Sequence, residues 1–141
     1  DIGILMAMLN YGTQIEILKG NLLGYKGAIF ENLMADFLCK SGQKLYYFHK
    51  ESGLELDFLV RFKGECVVLE VKAKAGKAKS MTTVLKNRDV YHVNNAIKLG
   101  QYNVGREGSI LTIPLYMGFL GQDKLTDAII PDVDLGLLIN I

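Results

Sequence analysis

The stretch Val67-Val68-Leu69-Glu70-Val71-Lys72-Ala73 sets a carboxylate and an ammonium two residues apart in an otherwise apolar run. In a strand that spacing puts Glu70 and Lys72 on one side of the sheet and Leu69, Val71 and Ala73 on the other. Charges inside such a run must be compensated or put to use. A satisfied ion pair near a strand end fits the pattern, and so does a charged site. The preceding strand bears on the choice. If Lys63-Gly64 is a two-residue hairpin loop, as a Gly at the second turn position allows, then Phe62 faces Glu65 and Asp57 faces Glu70. Directly opposed side chains have Cβ atoms roughly 4.5–5.5 Å apart. Two carboxylates so placed repel unless something positive sits between them. A hard divalent cation suits, since Mg²⁺ typically takes one or two protein carboxylates and keeps several waters. Lys72, one pleat away, adds to the charge balance. A one-residue change in the loop would turn Asp57 to the other face.

Glu31 is the third acid. It lies at the edge of an apolar helical stripe, with Gly27 and Ala35 one turn either side leaving room for it to reach the sheet. A solvated boundary glutamate fits the same position. Six basic residues and no acidic one lie between positions 72 and 88: Lys72, Lys74, Lys77, Lys79, Lys86 and Arg88. Beside a metal such a run suits a phosphate backbone; alone it reads as an exposed Lys-rich helix. Tyr91 and His92 offer stacking or a polar contact, and His49 ends a strand at the surface. Cys39 and Cys66 read as core or half-buried thiols, and Tyr46, Tyr47 and Phe48 as sheet packing.

The elements that must position these groups follow from periodicity. Ile2, Leu5, Met6 and Leu9 predict a short apolar helix over 3–10, ended by Tyr11-Gly12, with a short irregular or helical connection over 13–23. Ile29, Phe30, Leu33, Met34, Phe37 and Leu38 predict a helix from about Gly24 to Lys40, closed by Ser41-Gly42. The period then falls to two. Residues 44–49, 54–62 and 65–73 predict a three-stranded meander. A helix over Lys79–Lys86, a strand near 90–99, a turn-rich stretch over 100–109 and a last strand over Ile110–Phe119 follow. The order predicts a mixed α/β sandwich around one sheet.

Glu31 on the first core helix, Asp57 on the second strand and Glu70-Val71-Lys72 on the third resemble the PD-(D/E)XK nuclease-like superfamily. Several stretches are also similar to the carboxy-terminal domain of unknown function that follows the AAA-type ATPase module in many bacterial and archaeal proteins: Asp1-Ile2-Gly3-Ile4-Leu5, Gly27-Ala28-Ile29-Phe30-Glu31-Asn32, Ser52-Gly53-Leu54-Glu55-Leu56-Asp57-Phe58, Leu69-Glu70-Val71-Lys72-Ala73 and Leu111-Thr112-Ile113-Pro114-Leu115-Tyr116. The resemblance implies a restriction-endonuclease-like α/β core of helix, three-stranded antiparallel meander, helix and further strand, with an extra N-terminal helix. It implies a helical lead-in over 1–23, a nuclease-like domain over 24–127 and an apolar tail over 128–141. Asp57 and Glu70 would ligate Mg²⁺ or Mn²⁺ with a backbone carbonyl near Val71. Lys72 would orient and activate the attacking water, and Glu31 would hold a second metal or a metal-bound water. Lys74, Lys77, Lys79, Lys86 and Arg88 would bind nucleic acid. The Pro that often precedes the motif Asp is Leu56 here.

Composition sets the outer bounds. The 141 residues are 50% hydrophobic and 22% charged, enough apolar content for a core. A net charge of +1 excludes gross attraction to nucleic acid or membrane and leaves local patches. The charge-free run Gly108–Gln122 is broken by Pro114, Gly118 and Gly121, so no segment reaches the roughly twenty apolar residues of a membrane span. Two cysteines fit a reducing, cytoplasmic setting. There is no GxxxxGK[ST] loop, so any ATP site of the parent ATPase is expected before Asp1, in a missing N-terminal module that would be this domain's partner. The apolar tail suggests a homo-oligomer. The function expected is metal-dependent phosphodiester hydrolysis on DNA or RNA, with a catalytically silent accessory domain as the alternative.

Overall fold

A computed structural model describes residues 1–21, 24–62, 64–74 and 76–119. Two short helices lead in, α1 (Ile2–Met8) and α2 (Tyr11–Leu18). Asp1 caps the first by accepting from Gly3 and Ile4 N–H groups, and Asn10 caps the second by accepting from Thr13 N–H. Tyr11 therefore opens a helix instead of ending one, and the connection expected over 13–23 as irregular or helical is helical up to Leu18. Neither buries a residue fully.

The main helix, α3, spans Lys26–Lys40. It ends as its sequence predicts: Gly42 takes φ 79°, Gln43 N–H donates to Leu38 O at 2.9 Å and Gly42 N–H to Cys39 O at 3.0 Å. This left-handed exit satisfies carbonyls that the helix end would orphan. The meander follows as β1 (Tyr46–His49), β2 (Glu55–Phe62) and β3 (Glu65–Lys72), all antiparallel. Gly64, at φ 86°, closes the β2–β3 hairpin, while Lys63 lies outside the described residues. Helix α4 covers Lys79–Lys86 as expected.

The next stretch departs from expectation. Arg88–Tyr91 forms a helical turn, α5, closed by His92 at φ 52° and ψ 38°, so the strand β4 starts only at Asn95 and ends at Gly100. The turn-rich segment contains a three-residue strand, β5 (Gly105–Glu107). The last strand, β6, stops at Pro114, and Leu115–Phe119 winds into a 3₁₀ turn. Packing explains the turn: Gly118 is buried, and a Cβ there would meet Met34 Sδ at 2.5 Å. The apolar tail over 128–141 and residues 120–127 lie outside the described residues.

The six strands form one open sheet in the order β1-β2-β3-β4-β6-β5. β3–β4 and β4–β6 are parallel, and the other pairs are antiparallel. Central strands buried on both faces read as nearly continuous apolar runs, which explains Val67–Leu69 and Ala96-Ile97. Met34 and Leu38 of α3 cover Phe58, Val60, Phe62, Leu69, Val71 and Ile97 on one face. Met81, Val84 and Leu85 of α4 cover Leu56, Val68 and Ala96 on the other. The protein is thus a mixed α/β sandwich with helices on both faces. Among the described residues no helix is long and apolar enough to cross a membrane.

Strand β2 carries one irregularity. Tyr46 pairs with Leu59 and Phe48 with Leu56, two steps on β1 against three on β2. The extra residue falls at Asp57-Phe58. The packing agrees, because Leu56 joins the α4 side and Phe58 the α3 side, whereas residues two apart in a regular strand share a face. A bulge of this kind re-aims a side chain and ends local pairing.

Candidate functional site

The bulge decides where Asp57 goes. The β2–β3 register is the expected one from Phe62 opposite Glu65 to Phe58 opposite Leu69, and pairing stops there. Asp57 therefore does not face Glu70 through a backbone pair, as a regular hairpin would have it. Its Oδ2 instead accepts from Val71 N–H at 2.7 Å. The carboxylate takes the place of a ladder acceptor at the point where the strands part.

Glu70 stands beside it. Val68 packs on the α4 side while Leu69 and Val71 pack on the α3 side, so strand alternation turns Glu70 and Lys72 to the α4 side. Glu70 is 4% exposed, and it is the one buried charged residue among those described. Its Oε1 accepts from Lys72 Nζ. Its Oε2 is buried and has no hydrogen-bond partner. Asn32 Oδ1, one residue from Glu31, shares that condition.

Glu31 approaches from α3. It is the most exposed of the acids named from sequence, and its Oε1 lies over Gly27, where an added Cβ would touch it at 3.8 Å.

The groups sense one another. Burial pushes the Glu70 carboxyl above its usual range, the hydrogen bond from Lys72 opposes this, and the Asp57 and Glu31 charges add to the rise. Burial also raises Asp57, against the Val71 N–H bond and the Lys72 charge, with Glu55 adding to the rise. Glu31 is raised by partial desolvation and then by the charge of Asp57. For Lys72 burial acts to lower the value, but the hydrogen bond to Glu70 and the charges of Glu70, Asp57 and Glu31 outweigh it, so the ammonium is held above its ordinary value. Its acidic neighbours thus hold Lys72 as an ammonium.

Two residues were missed from sequence. Glu55 opens β2, and its charge bears on both Glu31 and Asp57. Its place two residues before Asp57 was the available signal. Lys98 is the register partner of Glu70 on β4. An ammonium within Ala96-Ile97-Lys98-Leu99 is as anomalous as Glu70 within its own strand.

The five basic residues expected to bind nucleic acid separate in space. All are exposed. Lys77 and Lys79 sit at the start of α4, beside Lys98. The Lys74 carbonyl accepts from Tyr102 Oη at 3.4 Å. Lys86 ends α4. Arg88, beyond it, spends its guanidinium on Leu85 O at 3.1 Å and Ser109 Oγ at 3.3 Å. Cys39 is exposed, not buried, and Cys66 is half-buried. Tyr46 and Tyr47 are exposed, so of the three aromatics only Phe48 packs, edge-on against Tyr91. Tyr91 Oη accepts from Lys50 Nζ at 3.0 Å, and His92 and His49 are at the surface.

Residues 26–117 match the family described as Domain of unknown function (DUF4143). The chain belongs to this family. The match runs from the first residue of α3 into the final 3₁₀ turn, so Glu31, Asp57, Glu70 and Lys72 all belong to the DUF4143 domain, while α1 and α2 precede it. No curated protein and no solved structure matches the chain significantly.

The DUF4143 site has the donor chemistry for a hard cation without a finished cage. Among the described residues no three His, Cys, Asp or Glu side chains stand close enough together to hold a metal ion as they are. Mg²⁺ needs fewer, typically one or two carboxylates with waters completing the shell. A buried carboxylate with one unpartnered oxygen, next to a second desolvated carboxylate, meets that requirement.

Proposed function

We propose that the DUF4143 domain is a PD-(D/E)XK nuclease-like domain that hydrolyses phosphodiester bonds of DNA or RNA with Mg²⁺ or Mn²⁺. The observation that carries this reading is the Glu70 carboxylate: 4% exposed, one oxygen held by Lys72, the other without a partner, and Asp57 beside it. Isolated buried charge is costly, and a divalent ion would relieve both acids at once. The order of helix, antiparallel meander, helix and parallel strand supports a restriction-endonuclease-like core.

In this reading Asp57 and Glu70 hold the ion, and Glu31 reaches it from the helix side. Such an ion, when bound, lowers the pKa of water and neutralises phosphate oxygens. Lys72, kept protonated by three acids, orients the attacking water by donation and places a positive charge where negative charge grows on the phosphate. The Val71 N–H fixes the Asp57 carboxylate. We also infer that the chain is the carboxy-terminal part of an AAA-type ATPase, on the resemblance of its segments, and that two free thiols suit the cytoplasm.

The test is Mg²⁺-dependent cleavage of DNA and RNA by the wild type, D57A and K72A. Both variants are expected to be inactive. Cleavage that persists in both would refute the reading. The lack of a ready three-ligand cage among the described residues favours a second reading, a catalytically silent accessory domain. Salt-sensitive nucleic-acid affinity with no metal-dependent turnover would select it.

A further inference from the structure

The α4 side of the sheet carries a groove of about 500 Å³ whose lining includes Lys98, the register partner of Glu70 on the neighbouring strand. Lys77, Lys79, Lys98, Thr82 and Thr112 line it, with Glu107 at its wall. Its place is set by register. Glu70 on β3 is the partner of Lys98 on β4, and Lys98 is the partner of Thr112 on β6. Neighbouring strands are about 4.8 Å apart, so the row from Glu70 to Thr112 spans about 10 Å, the axial rise of about three phosphates of one strand at ~3.4 Å each.

Lys98 is held in place. Its ammonium lies 4.6 Å from the centre of the Tyr102 ring and donates to Gly76 O. Tyr102 in turn packs on Gly100, where a Cβ would meet its ring at 2.8 Å and Lys72 O at 2.4 Å. Lys98 is thereby fixed on the strand that pairs with that of Glu70, while Lys79 projects from the exposed start of α4 and Lys77 from two residues before it. Among the described residues, three ammonium groups against one carboxylate make the groove cationic in a protein of net charge +1. Among the described residues its side-chain donors are lysines and threonines, and no Arg, Asn, Gln or aromatic residue lines it. That set grips phosphate and does not read base edges.

We propose that this groove is a sequence-independent subsite for the polynucleotide backbone flanking the phosphate at Glu70. The choice of a polynucleotide rests on the phosphodiesterase reading above. The subsite is a defined groove at the start of α4, not the whole basic run from Lys74 to Arg88.

The test is fluorescence anisotropy of a labelled oligonucleotide on the full 141-residue chain, in EDTA so that nothing is cleaved, across a salt series. K77E/K79E changes only exposed side chains and is expected to weaken binding about tenfold or more and to flatten the salt slope by about two. K98M is expected to weaken it as well. K86E, outside the groove, is expected to have less than about a twofold effect. Unlabelled strands of unrelated sequence should compete equally, and a mononucleotide at equal phosphate concentration should not. Unchanged binding in K77E/K79E, an equal loss in K86E, or equal competition by the mononucleotide would overturn the subsite. A wild type that binds as expected and never cleaves would sink the phosphodiesterase reading and leave the subsite standing.

Discussion

Glu70, Asp57 and Glu31 all hold their protons more tightly in the folded protein than ordinary carboxyls do, chiefly through burial. The sign of the consequence is fixed. Such a group stabilises the fold below its unfolded value, and that contribution is lost as pH rises through the folded value. At neutral pH without metal the charges of buried Glu70 and half-buried Asp57 therefore destabilise. D57N is expected to melt a few degrees above wild type at neutral pH, with the gap shrinking as pH falls into the carboxylate range; a gap that widens on acidification would contradict this. Mn²⁺ is expected to raise the melting temperature of wild type more at neutral pH than near pH ~4, because the ligands must be ionised, and to leave E70Q unchanged. Glu70 and Lys72 were legible in the sequence because charge inside an apolar strand has few uses. Lys98 carried the same signal within Ala96-Ile97-Lys98-Leu99, and Glu55 stood two residues before Asp57, but the groups they face are set by pairings with other elements.

At the scale of elements, a bulge and two close glycine contacts shape the site. The run Leu54–Phe62 alternates except at Leu59, and its sequence predicts a regular strand. The extra residue is visible only in the pairing with β1 and in the split of Leu56 and Phe58 between faces. Strand β5 was missed because its three residues, Gly105, Arg106 and Glu107, have no apolar period. β6 was read too long because packing of Gly118 on Met34, and not local sequence, turns the chain after Pro114. The helices α3 and α4 and the meander were legible because their periods persist over whole elements. At Gly100 an added Cβ would lie 2.4 Å from Lys72 O. G100A is expected to cost about 1–3 kcal/mol and to lower the urea midpoint at unchanged slope. M34A removes a side chain with no exposure at the centre of the α3 layer and is expected to cost about 2–5 kcal/mol. Losses under about 0.5 kcal/mol in either variant would contradict the packing described.

For the molecule as a whole, the two faces of the sheet have different duties. The α3 face carries the larger apolar layer, while the α4 face carries Glu70, Lys72, Lys98 and the cationic groove. The sheet edges differ as well. β5 is short and charged, which discourages strand addition, whereas β1 exposes Tyr46 and Tyr47. The sequence predicted one sheet between helices and most of the residues gathered at its charged end, because those follow from period and charge. It could not show that Lys77, Lys79 and Lys98 converge, because that depends on the parallel register of β3 with β4. The central claim is that Asp57 and Glu70 share a divalent ion. Crystals of the chain grown with Mn²⁺ and measured at the manganese absorption edge test it directly. The expected result is an anomalous peak about 2–2.2 Å from an oxygen of each carboxylate, with Glu70 Oε2 as one of them. Both side chains ordered and no peak between them, at saturating Mn²⁺, would contradict it.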